Sequence, residues 1–121
     1  VLNINQRQNG DVTVLDLDGN IIMGGGSDLL GAEIRRLAAE GKRRVLLNFA
    51  GVKYLDSSGV GELVSGSQRL AKAGGSMRFL KLSPKVREVM TLASMLSLFD
   101  VYEDEEEALS EFSADEEQAG G

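Results

Sequence analysis

Residues 44–61 read Arg44-Val45-Leu46-Leu47-Asn48-Phe49-Ala50-Gly51-Val52-Lys53-Tyr54-Leu55-Asp56-Ser57-Ser58-Gly59-Val60-Gly61. Val45 to Phe49 is a short, almost wholly apolar run, as in a strand covered on both faces by helices. Ala50 to Leu55 is expected as a loop. Asp56-Ser57-Ser58-Gly59 then opens a helix, because Asp and Ser accept hydrogen bonds from the first free N–H groups of a helix. Val60, Leu63, Val64 and Ala71 recur at i, i+3, i+4 and i+11, which places them on one helical face. Gly74-Gly75 stops that helix.

The same alternation extends in both directions. Upstream, Leu2 and Ile4 alternate with Asn3 and Asn5 as in a half-buried strand. Asn9-Gly10-Asp11 signals a hairpin turn, with Val12 to Leu17 as the return strand ended by Asp18-Gly19-Asn20. Gly24-Gly25-Gly26 is a flexible break after Ile21-Ile22-Met23. Ser27 or Asp28 is the expected cap of a first helix, whose inner face holds Leu30, Ile34, Leu37 and Ala38 and which Gly41 ends. Downstream, Met77 to Leu82 reads as a strand. Ser83-Pro84 starts a helix with an inner face of Val86, Val89, Met90 and Ala93. Leu98 to Tyr102 is a short last strand, and the acidic segment after it carries Ala108, Leu109 and Phe112 as the inner edge of a docked helix. The order β-β-α-β-α-β-α-β-α predicts an α/β fold. Its sheet is mixed and mostly parallel, with an N-terminal hairpin and four helices packed on it. One domain over residues 1–113 and an acidic, disordered tail over 114–121 are expected.

The 121 residues carry 19 acids and 13 bases, with no His and no Cys. A thiol nucleophile, a cysteine zinc site, a His general base and a Ser-His-Asp triad are thereby excluded. The formal charge of −6 is uneven: residues 103–121 hold nine acids and no base, so residues 1–102 carry a balance of +3. That is too little to argue for nucleic-acid binding. No apolar run approaches the ~20 residues of a membrane span, and the first residues are not those of a signal peptide. A cytoplasmic location and no cofactor are the expectation.

Asp56-Ser57-Ser58-Gly59 is the candidate site. Its bland reading is a helix cap. Its functional reading is a modification site, because a phosphate on Ser57 would bring about −1.5 to −2 charge to a helix N-terminus. The two are compatible. Over residues 44–61, and more loosely from the hairpin to Asp104-Glu105-Glu106-Glu107-Ala108-Leu109, the chain resembles the STAS family, the anti-sigma factor antagonists of bacterial partner switching. The shared signature is an apolar strand ending in Asn or Asp, a short loop, then Asp-Ser-Ser/Thr-Gly-Leu/Val-Gly. The resemblance implies that Ser57 is the phosphoacceptor. It implies that the unphosphorylated form binds an anti-sigma factor that is also a serine kinase, that phosphate releases it, and that a serine phosphatase resets it. Asp56, Ser57, Ser58, Gly59 and Val60 are then the expected partner face, with Gly59 allowing close approach of the partner. The alternative is a STAS scaffold or transporter-associated subunit with another protein partner. In either case the chain is a binding protein and not an enzyme.

The chain departs from the family pattern at the entry to the first helix, where Met23 and Gly24-Gly25-Gly26 differ from the usual residues, and at two single positions. Ile22 stands where an acid is often found, and Ser94 where Gly is common. Gly24-Gly25-Gly26-Ser27 lacks the Lys-Ser/Thr of a phosphate-binding loop. Arg35-Arg36 and Lys42-Arg43-Arg44 read as solvated basic clusters, available to the acidic tail or to an acidic partner. Met77, Met90 and Met95 read as core, and the acids after Glu103 lack the pattern of a calcium loop.

Overall fold

The computed structural model describes residues 1–113 with their side chains, and the helical backbone as far as Gly120. Residues 114–120, expected to belong to a disordered tail, have a helical backbone that continues the last helix, and Gly121 lies outside the described residues. The elements are β1 (Leu2–Asn9), β2 (Val12–Ile21), α1 (Gly26–Ala39), β3 (Arg44–Leu55), α2 (Ser57–Lys72) and β4 (Ser76–Leu80), then α3 (Pro84–Leu92), β5 (Val101–Tyr102) and α4 (Glu105–Gly120). The sheet order is β1-β2-β3-β4-β5. β1 and β2 form the antiparallel hairpin, and every later neighbour is parallel. This is the mixed α/β architecture that the order of elements implied.

Strand alternation splits the core in two. Leu15, Leu17, Val45, Leu47, Phe49, Met77 and Phe79 face α1, α2 and α3, and meet Leu30, Ile34, Leu37, Val60, Leu63, Leu70, Val86 and Met90. On the other face Val12, Val14, Leu46 and Leu80 are covered by Ala108 and Phe112 of α4. Arg78 is buried there, with its guanidinium carbon 4.7 Å from the centre of the Phe112 ring. Arg7 fastens the start of α4: it donates to both Asp16 carboxylate oxygens (2.7 and 3.1 Å) and to both Glu105 oxygens. These bonds hold the Asp16 and Glu105 carboxyls below their ordinary range.

Several boundaries differ from expectation. β2 does not end at Asp18, and Ala50 to Leu55 is strand and not loop. The two extensions are one feature, because Asp18, Gly19, Asn20 and Ile21 pair with Gly51, Val52, Tyr54 and Leu55. Gly19 makes this possible. Its φ of 124° lets the strand bulge instead of turning away, and a Cβ there would strike the Val1 carbonyl. β4 stops at Leu80. Lys81 takes a φ of 60°, which turns Leu82 to the same core as Phe79. The last strand is only Val101–Tyr102, because Leu96–Leu98 forms a 3-10 turn that leaves Leu98 exposed and buries Phe99 against Phe79. In the last turns of α2 Leu70 is buried in place of the expected Ala71, which is exposed.

Ser83 caps α3 as expected, accepting from the Val86 N–H at 3.2 Å, with Pro84 following. Met77 and Met90 are core residues, and Met95 packs at its edge. Within the basic clusters Arg35 pairs with Glu62, Arg36 with Glu33 and Glu40, and Arg44 with Asp11.

Candidate functional site: the start of α2

The β2 and β3 extensions deliver the chain to the N-terminus of α2. The Asp56 N–H donates to the Ile21 carbonyl (3.2 Å), so the residue after β3 is still tied to β2. Asp56 is extended and caps the helix. Its Oδ1 accepts from the Ser58 N–H (3.0 Å), the Gly59 N–H (3.1 Å) and the Ser58 hydroxyl. Its Oδ2 accepts from the Met23 N–H at 2.9 Å. Every one of these donors favours the charged form. The Ser58 hydroxyl contributes most and the Met23 N–H next, so the carboxyl is held below its ordinary value.

Ser57 is the first helical residue. It is exposed, and its hydroxyl makes no hydrogen bond among the described residues. Ser58 is half-buried and occupied, with its Oγ 2.7 Å from Ser27 Oγ as well as bonded to Asp56. Two serines that are equivalent by type are therefore unequal by environment. Gly59 and Val60 point inward. A Cβ on Gly59 would lie 2.6 Å from the Ile21 carbonyl oxygen and 2.5 Å from Leu55 Cδ1, and Val60 is 4% exposed. The close approach that Gly59 permits is therefore to the chain's own β2.

The start of α1 completes the site. Neither Ser27 nor Asp28 is its cap. That position is Gly25, which makes no side-chain cap, and the helix begins at Gly26. The reason is steric: Gly26 sits on the Asn20 carbonyl, where any Cβ would collide. Ser27 is consequently inside the first turn, 2% exposed, with its N–H and hydroxyl both donating to the Ile22 carbonyl (3.1 and 2.9 Å). At position 22 the main-chain carbonyl thus anchors α1, whatever side chain the position carries.

Sequence reasoning missed the apolar rim. Met23 (76% exposed), Tyr54 (50%) and Leu29 (45%) flank the two helix starts, and Lys85 Nζ lies 4.4 Å from the centre of the Tyr54 ring. The signal that could have found Tyr54 is the presence of two strand-forming residues, Val52 and Tyr54, in a stretch read as loop. Among the described residues there is no cluster of acidic side chains able to hold a metal ion.

A β-hairpin leading into a parallel sheet, with a capped Asp-Ser-Ser-Gly helix start beside a second helix start, defines a STAS domain. The STAS domain profile matches residues 3–108, and the chain belongs to that family. Its relatives include BtrV of Bordetella bronchiseptica, which carries the name putative anti-sigma factor antagonist. It is 28% identical over 92 residues, covering 76% of this chain and 79% of BtrV. An anti-sigma factor antagonist from Mycobacterium paratuberculosis has the same fold, with a TM-score of 0.82, 20% identity and coverage of 93% and 95% of the two chains. So has the antagonist SpoIIAA of Bacillus. Its unphosphorylated form superposes with a TM-score of 0.80 at 23% identity, over 93% of this chain and 97% of SpoIIAA, and a phosphorylated form has also been solved.

Proposed function

We propose that this chain is an anti-sigma factor antagonist whose partner contact is switched by phosphate on Ser57. In the unphosphorylated state it binds an anti-sigma factor that is also a serine kinase, and so releases the sigma factor. Transfer of phosphate to Ser57 ends the contact, and a serine phosphatase restores it. The setting of such a switch is the cytoplasm, and no helix among the described residues is long and apolar enough to cross a membrane.

The observation that carries this reading is the inequality of the two hydroxyls. Ser57 is exposed and unbonded, whereas Ser58 is held between Asp56 and Ser27. A kinase finds only the first hydroxyl free to attack. The same geometry explains why the modification would be felt by a partner. The Ser58 and Gly59 N–H groups already serve the Asp56 carboxylate, so the helix start has little left to neutralise a second anion. The phosphate would stand beside an ionised Asp56, solvated and facing outward. In the contact, Asp56, Ser57 and Ser58 present the polar centre, while Gly59 and Val60 support it from beneath. A loss of about 2–3 kcal/mol corresponds to roughly 30- to 150-fold in affinity, enough for a switch.

The test is incubation with ATP and the anti-sigma kinase of the same organism, read by intact mass. One phosphate is expected, lost in Ser57→Ala and retained in Ser58→Ala. Complex formation by the wild type but not by Ser57→Asp completes it. An unmodified wild type, or a Ser57→Ala protein that still gains phosphate, overturns the assignment.

A further inference from the structure

The −6 charge conceals two surfaces of opposite sign on opposite faces of the sheet. On one, α1 and α2 lie side by side, and near their C-terminal ends runs an open groove of about 600 Å³. The short side chains of Ala38, Ala39 and Ala73 leave the space, and Arg35, Arg69 and Lys72 stand along it. Arg35 has a carboxylate within reach, Glu62 at 3.7 Å. Arg69 and Lys72 make no ion pair among the described residues, and neither do Lys42 and Arg43 just beyond α1. On the other face, α4 buries Ala108 and Phe112 and turns Glu106, Glu107 and Glu111 to solvent, again with no ion pair among the described residues.

Such surfaces complement each other, but one chain cannot bring them together, because the sheet lies between them. A second copy can. We infer that the basic α1–α2 groove receives the acidic outer face of α4 from another copy of this chain. The contact is between two different surfaces, so it is head-to-tail. The expected product is a series that grows with concentration instead of a symmetric dimer. Charge complementarity sets its register, and long Glu side chains reach the Arg69 and Lys72 heads over a floor of alanines. It does not rest on the Ser57 switch. α2 runs over 16 residues, from Ser57 to Lys72. At a rise of about 1.5 Å per residue its two ends lie roughly 22 Å apart, more than two screening lengths at physiological salt.

The experiment is sedimentation of the full chain at physiological salt over a range of concentrations. Wild type should show a mass that rises above the monomer. Arg69→Gln/Lys72→Gln should weaken association at least tenfold, and so should Glu107→Gln/Glu111→Gln. All four positions are exposed, and unchanged melting curves will show that the fold is intact. An equimolar mixture of the two variants should restore a one-to-one dimer that grows no further, because each supplies the surface that the other lacks. A wild type that stays monomeric throughout overturns the inference and leaves the groove to an acidic segment of a different protein. Self-association indifferent to both variants overturns it as well.

Discussion

The starts of α1 and α2 are built on the same foundation and finish differently. Both press a glycine onto the end of β2, Gly26 over the Asn20 carbonyl and Gly59 over that of Ile21. They differ in how the first N–H groups are satisfied. α1 has no side-chain cap, so Ser27 folds back and spends its N–H and its hydroxyl on the Ile22 carbonyl. α2 is capped from upstream by Asp56, which serves Ser58 and Gly59 and asks nothing of Ser57. A cap placed one residue before the helix is what leaves a hydroxyl free at its first position. The exposed serine of α2 stands at the first helical position, whereas Ser27 of α1 stands at the second, where Ser58 of α2 is engaged as well.

The shared foundation is where the largest effect is expected. Ala at Gly59 would place a methyl against the backbone of β2 and against Leu55, so β2 or α2 must shift. Overpacking of this kind costs about 1–3 kcal/mol, occasionally more. Gly26→Ala meets backbone even more directly and should be at the upper end. Gly61, two residues further along α2, has open space around it. Its replacement by Ala should stabilise the helix by about 1 kcal/mol. Urea unfolding of the three variants checks the contrast. A Gly59→Ala protein as stable as Gly61→Ala would show that the helix start is not pressed on β2.

Next in size is the cap that distinguishes the two starts. Asp56→Ala removes the acceptor for two N–H groups of α2, for Met23 and for the Ser58 hydroxyl. The loss should cost about 1–2 kcal/mol, as for other helix caps. Asp56→Asn keeps an acceptor and should cost less. The carboxyl is depressed below its ordinary 3.8 in the fold, so the unfolded chain binds the proton more readily. Its extra stabilisation is complete above about pH 5 and is lost as the pH falls through the folded value. The stability gap between wild type and Asp56→Asn, measured by denaturant titration, should therefore close with acidification. Asp16 and Glu105 are depressed in the same direction by Arg7 and lie in both proteins, so they cancel in that difference.

Much of this was legible in the sequence. The apolar run Val45–Phe49, the periodic faces of the helices and the Ser83-Pro84 cap are local signals, and local signals are what a chain displays openly. The ends of β2 and β3 were not legible. Each looks like a loop alone, with Gly19 in one and Gly51 in the other, and each becomes strand only because the other pairs with it. Ser94 shows the reverse case. It occupies a left-handed backbone (φ 59°) at a position where the family resemblance points to Gly. The conformation was therefore readable from the family's residue better than from the one present. At the candidate site, the helix start after Asp56 was legible by residue type and spacing. The burial of Gly59 and Val60 was not, because it depends on where β2 ends, and neither was the role of Ser27, because α1 starts earlier than its caps suggested.

The smallest effect on stability is expected at the residue to which the proposed function assigns the switch, and that pairing separates the two starts most sharply. Ser57→Ala removes an exposed hydroxyl without a partner among the described residues. Such a surface change should alter stability by less than about 0.5 kcal/mol. Ser27→Ala leaves the Ile22 carbonyl with one donor fewer and Ser58 without its neighbour. That loss should be about 1 kcal/mol. Ser27 and Ser58 touch, so their losses should not add. A double-mutant cycle in thermal or urea unfolding should return a coupling of about 0.5 kcal/mol or more between them, and none between Ser27 and Ser57. Coupling to Ser57 of the same size would mean that its hydroxyl is engaged after all, and the observation on which the proposed switch rests would be gone.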